Sequence, residues 1–247
     1  MKTAADFLVE VPALMQDDRI TKARQILREN ACREVYVYDG KRKLLGYIDI
    51  TDVLRVTATK SDVTIDGFLR DITPVLPGDS VGHVLATIRQ NRTDSVPVVD
   101  DQSALLGGVL LSELFPVVIT MQRLRGSVSD SMTRDVVTCS AGDTIQRIHT
   151  LIIDSGYSAF PVIKKKKVVG MISRRDLLKD GRWRASTETT TPVDALMTTP
   201  VVTTGPDDDV RTAADIMVKH DISRLPVMEK DQIIGIIDRH DILNCLA

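Results

Sequence analysis

At 247 residues the chain is long enough to bury a core without disulfide or metal staples. Apolar residues make up 43% and charged residues 27%, as in ordinary globular proteins, and aromatics are scarce at 4%, so the core must be aliphatic. The formal charge of −2 excludes a global electrostatic pull towards nucleic acid or acidic membranes. Taken in chain order, the first element is announced by Asp18, after which Ile20, Ala23, Ile26 and Leu27 step by three and four, the stripe of an amphipathic helix. The β-branched runs VYVYD at Val35 and LLGYID at Leu44 follow with a polar turn between them, which reads as a hairpin. A second short helix then begins around Asp52.

The same order returns three times. Val81, Val84, Leu85 and Ile88 mark the next helix, VPVVD at Val96 and LLGGVL at Leu105 the next hairpin, and Glu113 stands where Asp52 stood. Ile145, Ile148, Leu151 and Ile152 lead to AFPVI and KVVGMIS, ending at Asp176; Val210, Ala213, Ala214 and Met217 lead to LPVM and IIGIID, ending at Asp241. The four glycines, Gly46, Gly107, Gly170 and Gly235, recur every 61 to 65 residues, each six residues before its acid. Another acid (Asp18, Asp79, Asp143, Asp208) lies eighteen residues before the aromatic or proline of each first hairpin strand. Four landmarks in register define an internal repeat of strand, helix, strand, strand, helix. In the last two repeats the leading strand is the segment MTxxVVT, Met132–Thr138 and Met197–Thr203. A sheet this small cannot bury its face alone, so repeats are expected to pair sheet to sheet. The expected modules are 1–122 (repeats about 6–57 and 67–120) and 123–247 (repeats about 127–181 and 192–247), with a linker near Met121–Ser129 and a Thr-rich connection at Ser186–Thr191.

Cys32, Cys139 and Cys245 are far apart and form no CxxC pair, which argues for a reducing compartment and against a zinc ribbon. MKTAADFLVEVPAL is too polar for a signal peptide, and the apolar stretch Leu105–Met121 is interrupted by Ser112, Glu113 and Pro116. A soluble, cytoplasmic protein without membrane attachment is expected. His83, His149, His220 and His240 fall at different repeat positions without ligand spacing, and the chain has no GxxxxGK, HExxH or GxSxG motif. No catalytic residue and no metal site is expected.

The pattern resembles the CBS domain, the cystathionine-β-synthase motif, over nearly the whole chain. The MTxxVVT segment, the PV strand and the ending Gly170-Met-Ile-Ser-Arg-Arg-Asp176 carry the resemblance. The arrangement of four motifs is similar to the γ subunit of AMP-activated protein kinase and prokaryotic CBS-pair proteins. It implies an α/β (α+β) fold of four β-α-β-β-α motifs in two pseudo-symmetric pairs, associating as a flat disk, with adenine nucleotides in clefts of each pair. Only the third repeat keeps the full Ser-x-x-Asp: the fourth has Asp238 at the serine position, the first Asp49, and the second Leu110 with Glu113.

A carboxylate at a helix start can accept the paired hydrogen bonds of a ribose cis-diol, at roughly 1.5–3 kcal/mol per desolvated contact. That role falls to Asp176, beside Ser173, and to Asp241, beside Asp238, with Asp52 weaker and Glu113 doubtful; a plain helix cap is the competing reading. Phosphate needs cations, and Arg174, Arg175, Arg224 and His240 stand near the aspartates. The resemblance implies phosphate contact by Arg224, whose counterpart is Ala159, so the two clefts of this module should differ. Tyr157 and Ile222, with the adjoining Ser158 and Ser223, could cover the adenine, and Thr133, Val137 and Thr138, or Thr198, Val202 and Thr203, could bond its edge. The resemblance further implies that a cleft takes its Asp from one motif and its leading strand from the partner, pairing Asp176 with Thr198–Thr203 and Asp241 with Thr133–Thr138. The expected function is a non-catalytic sensor of AMP, ADP, ATP or S-adenosylmethionine, self-associated or bound to a regulated protein. Two alternatives stand beside it. One is a nucleic-acid-binding regulator using the basic third repeat (Lys164–Lys167, Arg174, Arg175, Lys179, Arg182, Arg184), and the other is a scaffold that binds no ligand.

Overall fold

The computed structural model describes residues 2–30, 32–58, 60–184 and 191–246. Most of the connection expected at Ser186–Thr191 lies outside the described residues. In the first repeat, β1 (Ala13–Met15) pairs in parallel with β2 (Glu34–Tyr38), which forms an antiparallel hairpin with β3 (Leu44–Asp49). Helix α1 (Ile20–Glu29) connects β1 to β2, and α2 (Ile50–Leu54) follows β3. The second repeat places α3 (Val81–Asn91) before the hairpin β4 (Ser95–Val99) and β5 (Leu105–Leu110), then α4 (Leu111–Met121). The short α5 (Val128–Ser131) opens the third repeat, followed by β6 (Cys139–Ser140), α6 (Ile145–Ser155), the hairpin β7 (Ala159–Lys164) and β8 (Lys167–Ser173), and α7 (Arg174–Asp180). The fourth has α8 (Val210–Lys219), the hairpin β9 (Arg224–Glu229) and β10 (Gln232–Asp238), and α9 (Arg239–Leu243).

Each first helix turns its sequence stripe inward. Ile145, Ile148 and Ile152 of α6 are buried, as are Phe160 and Val162 of β7, and Val210, Ala213, Ala214 and Met217 of α8 are buried, as are Leu225 and Val227 of β9. Full burial of one such aliphatic side chain contributes about 1.5–3 kcal/mol. The hairpin turns carry the left-handed residues that tight connections demand, Lys165 and Lys166 in one and Lys230 and Asp231 in another.

The leading segments differ from the expectation. Only one residue of MTxxVVT in the third repeat enters a ladder: Thr133 forms an isolated antiparallel bridge with Ile236, and strand β6 begins after the motif, at Cys139. In the fourth repeat Thr198 bridges Met171 and the parallel pairing is reduced to Thr204 with Val227. The segment crosses to the partner repeat, where Thr133 bonds Ile236 in both directions, so at that point its backbone cannot also run along its own hairpin. This crossing accounts for the repeat's glycine. A Cβ on Gly170 would lie 2.7 Å from Met197 Sδ and 2.8 Å from the Thr198 carbonyl oxygen, and one on Gly235 would collide with Met132.

Two compact units result. One is built from residues up to Leu114 together with Trp183 and Arg184, and the other from Phe115–Arg182 with the residues from Thr191 onward. The boundary falls within α4, ahead of the linker expected near Met121–Ser129. In the first unit, Tyr36 and Tyr47 pack with Leu105, and the Tyr36 hydroxyl donates to Ser95 Oγ (2.7 Å), which donates to Glu34 (3.0 Å). This buried polar chain ties the two repeats of that unit together. In the second unit the Arg239 guanidinium lies 5.5 Å from the centre of the Phe115 ring.

Candidate functional site

Each glycine-motif aspartate sits in a capping box at the start of its helix, at the third helical position. The residue three before it is the N-cap. Ser173 Oγ accepts from the Asp176 amide (3.3 Å), while Asp176 Oδ2 accepts from the Ser173 amide (2.8 Å) and hydroxyl (2.6 Å). Asp238 does the same work with a carboxylate: its Oδ1 accepts from the amides of His240 (2.9 Å) and Asp241 (3.0 Å), and Asp241 Oδ2 accepts from the Asp238 amide (2.9 Å). Replacement of serine by aspartate therefore preserves the cap and adds a charge.

In the second unit these elements surround a cavity of about 250 Å³ lined by residues of the leading segment, of the loop before β7 and of the β9–β10 hairpin. Asp238 and Asp241 come from the end of β10 and the start of α9; Arg224 is paired with Asp238 across the hairpin register. Thr133 and Val137 contribute from the leading segment, held against β10 by hydrogen bonds in both directions between Thr133 and Ile236 (2.9 Å each). Tyr157 and Ser158 come from the loop before β7 and Ala159 from its first position, with the Tyr157 ring edge-on to Phe160 at 6.3 Å. Tyr157 and Val137 are exposed large apolar residues, at 48% and 39%. The site thus joins a carboxylate pair, a guanidinium and an apolar wall from two repeats. Burial, then repulsion from Asp238, push the Asp241 carboxyl up to about 7, against the attraction of Arg224.

Of the residues singled out in the sequence, Asp241, Asp238, Arg224, Thr133, Val137, Tyr157 and Ser158 meet here, with Asp241 and the Thr133–Thr138 segment bordering one cavity. Ala159 and Arg224, expected to mark different clefts, line the same cavity. Asp135, Gly156, Pro161 and Ile236 also line it and were not singled out. Asp135 could have been found, because it lies inside the leading segment, but only the crossing to β10 shows which face of that segment is used. Thr138 is exposed just ahead of β6, and His240 is half-buried on α9.

Asp176, with Ser173 and the half-buried Arg174 and Arg175, stands at the start of α7, while Thr198 is bonded to Met171 of β8 in both directions (2.8 and 3.1 Å). Val202, Thr203, Ile222 and Ser223 are half-buried, and the Ser223 carbonyl accepts from the Arg239 amide (3.0 Å).

In the first unit Asp52 is different. It is 1% exposed, and Arg70 grips it in a fork, Nε to Oδ2 and Nη2 to Oδ1, both at 2.7 Å. Arg70 bridges Tyr47, the place that Thr133 holds against Ile236. Glu113 is exposed on α4. Within the lysine run of the third repeat, Lys164 lies 3.5 Å from Asp194 and Lys167 3.3 Å from Asp231, so its charge is partly met by the protein.

Other chemistry finds little support. Burial pushes the Cys139 thiol up to about 12, which removes it as a nucleophile at neutral pH. Among the described residues no group of three or more His, Cys, Asp or Glu could hold a metal ion, and no helix is long and apolar enough to cross a membrane.

Comparison with known proteins agrees with this architecture. The profile of the CBS domain matches residues 6–58, 65–120, 126–181 and 193–247. Among relatives, the uncharacterized protein MJ1225 of Methanocaldococcus jannaschii is 22% identical over 258 aligned residues, covering 92% of each chain. The CBS domain-containing protein YhcV of Bacillus subtilis is 31% identical over 123 residues, 47% of this chain and 82% of that one. The crystal structure of MJ1225 superposes with a TM-score of 0.83 at 19% identity, covering 98% of this chain and 99% of that one. An uncharacterized conserved protein from Pyrococcus horikoshii superposes with a TM-score of 0.66 at 20% identity and the same coverage. These likenesses in structure are likenesses of fold, and with four matches spanning nearly all its length the chain belongs to the CBS domain family.

Proposed function

We propose that this protein is a non-catalytic regulatory module whose second unit binds an adenosyl ligand (AMP, ADP, ATP or S-adenosylmethionine) in the cavity between its third and fourth motifs. The observation that carries this reading is the convergence on one cavity of Asp241 at a helix start, Arg224 across the hairpin, and the apolar surfaces of Val137 and Tyr157. Asp241 Oδ2 is committed to the Asp238 amide, and its other oxygen is the acceptor for a ribose hydroxyl. Tyr157 supplies a flat apolar face for a base, and the backbone of the leading segment supplies donors and acceptors for its edge. Arg224 supplies a fork for one anionic group. Binding would bias the packing of two motifs and through it a regulated partner, to the extent that the ligand prefers one arrangement.

Thermal unfolding of the full chain against AMP, ADP, ATP, S-adenosylmethionine, NAD and GTP tests the proposal. A ligand at 100 times its dissociation constant adds about 2.7 kcal/mol. A raised midpoint with an adenosyl ligand, lost in Asp241→Asn, is expected. No shift with any of the panel at millimolar concentration would leave the scaffold reading in its place.

A further inference from the structure

The second unit's cavity contains more negative charge than an anion-binding cleft should. Asp135, Asp238 and Asp241 line it together with one guanidinium, that of Arg224. The amides at the start of α9, which would otherwise face a phosphate, are already taken: His240 N and Asp241 N both donate to Asp238 Oδ1. The helix spans only Arg239–Leu243, so its dipole adds little.

The first unit shows what such a pair accepts. Asp49 and Asp52 repeat the Asp-x-x-Asp of Asp238 and Asp241 with the same capping box: the Asp49 amide donates to Asp52 Oδ2 (3.0 Å), and Asp49 Oδ1 accepts from the Thr51 amide (2.6 Å). Here the protein supplies its own complement, the Arg70 guanidinium, 2.7 Å from each Asp52 oxygen and 3.7 Å from Asp49. Arg55 adds a second cation at 3.4 Å. At the matching register in the second unit the residue is Thr133, which has no charge. Where the chain fills this constellation itself it uses a fork of cationic donors; in the second unit that place is left to whatever enters the cavity.

We propose that the second unit selects its ligand by charge, taking an adenosyl compound whose 5′ group is neutral or cationic and discriminating against polyphosphates. The inference rests on reading the cavity as an adenosyl site. Near neutral pH the Asp241 carboxyl, pushed up to about 7, is only partly ionised, so the cavity's fixed negative charge comes chiefly from Asp135 and Asp238. Arg224 can offset one of these, so a single phosphate is tolerated, and each further phosphate adds repulsion.

Calorimetric titration of the full chain with S-adenosylmethionine, AMP, ADP and ATP, at fixed ionic strength and without divalent cations, tests it. The dissociation constant is expected to rise about two- to fivefold with each phosphate added to AMP, and S-adenosylmethionine to bind at least as tightly as AMP. Asp135→Asn, a change at an exposed residue, is expected to narrow the gap between AMP and ATP, as is raising the salt concentration. ATP binding as tightly as AMP, or more tightly, would overturn the charge selection while leaving the adenosyl reading intact. A gap that neither Asp135→Asn nor salt alters would overturn its electrostatic origin. No binding of any of the four would overturn both readings.

Discussion

Asp241 is a carboxylate that burial and Asp238 push up to about 7, far above the roughly 3.9 of an unfolded chain, with Arg224 the cation that opposes the shift. Folding therefore takes up a proton between about pH 4 and pH 7. The stability that this proton brings is fully present below pH 4 and is lost as the pH rises through 7. In Asp241→Asn the amide cannot titrate, so the stability of wild type minus that of the variant, measured by urea unfolding, should fall between pH 4.5 and pH 8. A constant difference would show that Asp241 ionises normally. Gly170 makes a different demand. Its missing side chain admits the partner repeat's Met197 and Thr198, and a Cβ there would meet atoms at 2.7 and 2.8 Å. Gly170→Ala should destabilise the chain by about 1–3 kcal/mol in the same assay, as overpacking does. The spacing of the four glycines was legible in the sequence. What each glycine touches was not, because the contact comes from a distant segment, for Gly170 one beginning 27 residues away in another repeat.

At the scale of elements, the helices and hairpins followed from local rules. Stripes of three and four residues became α1, α3, α6 and α8, and the β-branched runs became the four hairpins. The leading segments did not follow, since MTxxVVT has the composition of a strand yet most of it pairs with nothing in its own sheet. Strand propensity describes a fit to a half-buried pleated surface, and only the partner repeat decides whether that surface is present. The hairpin end at Asp49–Asp52 shows the same dependence. Its sequence matches Asp238–Asp241, but one is closed by Arg70 and the other borders an open cavity. The Asp52 carboxylate holds the Arg70 guanidinium above its ordinary value, chiefly through their hydrogen bonds. Arg70→Ala leaves Asp52 buried without this partner. It should cost about 2–5 kcal/mol, towards the lower end because Arg70 is partly exposed, with denaturant unfolding as the measurement.

At the scale of the whole molecule, two units of similar build carry different sites. Ligand binding in the second unit should slow amide exchange in peptides covering residues 133–161 and 224–243 and leave those covering 44–75 unchanged. Equal protection around Asp52 would overturn the assignment of binding to the second unit. The difference has a local cause: the serine-position residues, Asp49, Leu110, Ser173 and Asp238, and the residues crossing to meet them change chemical character from repeat to repeat, while the core positions of the first helices stay apolar.

The repeat, the family, the order of helices and hairpins within each repeat and most of the residues that line the second unit's cavity were legible in the chain alone; the leading strand was not. Those features are written in short-range periodicity and in spacings that recur along one chain. The tertiary structure decided that Asp52 is closed by Arg70, that Ala159 and Arg224 share a cavity, and that Asp135 faces it. Each of these depends on which backbone crosses to a neighbouring repeat and at what register. Such a contact joins residues far apart in the chain, and no local pattern encodes it.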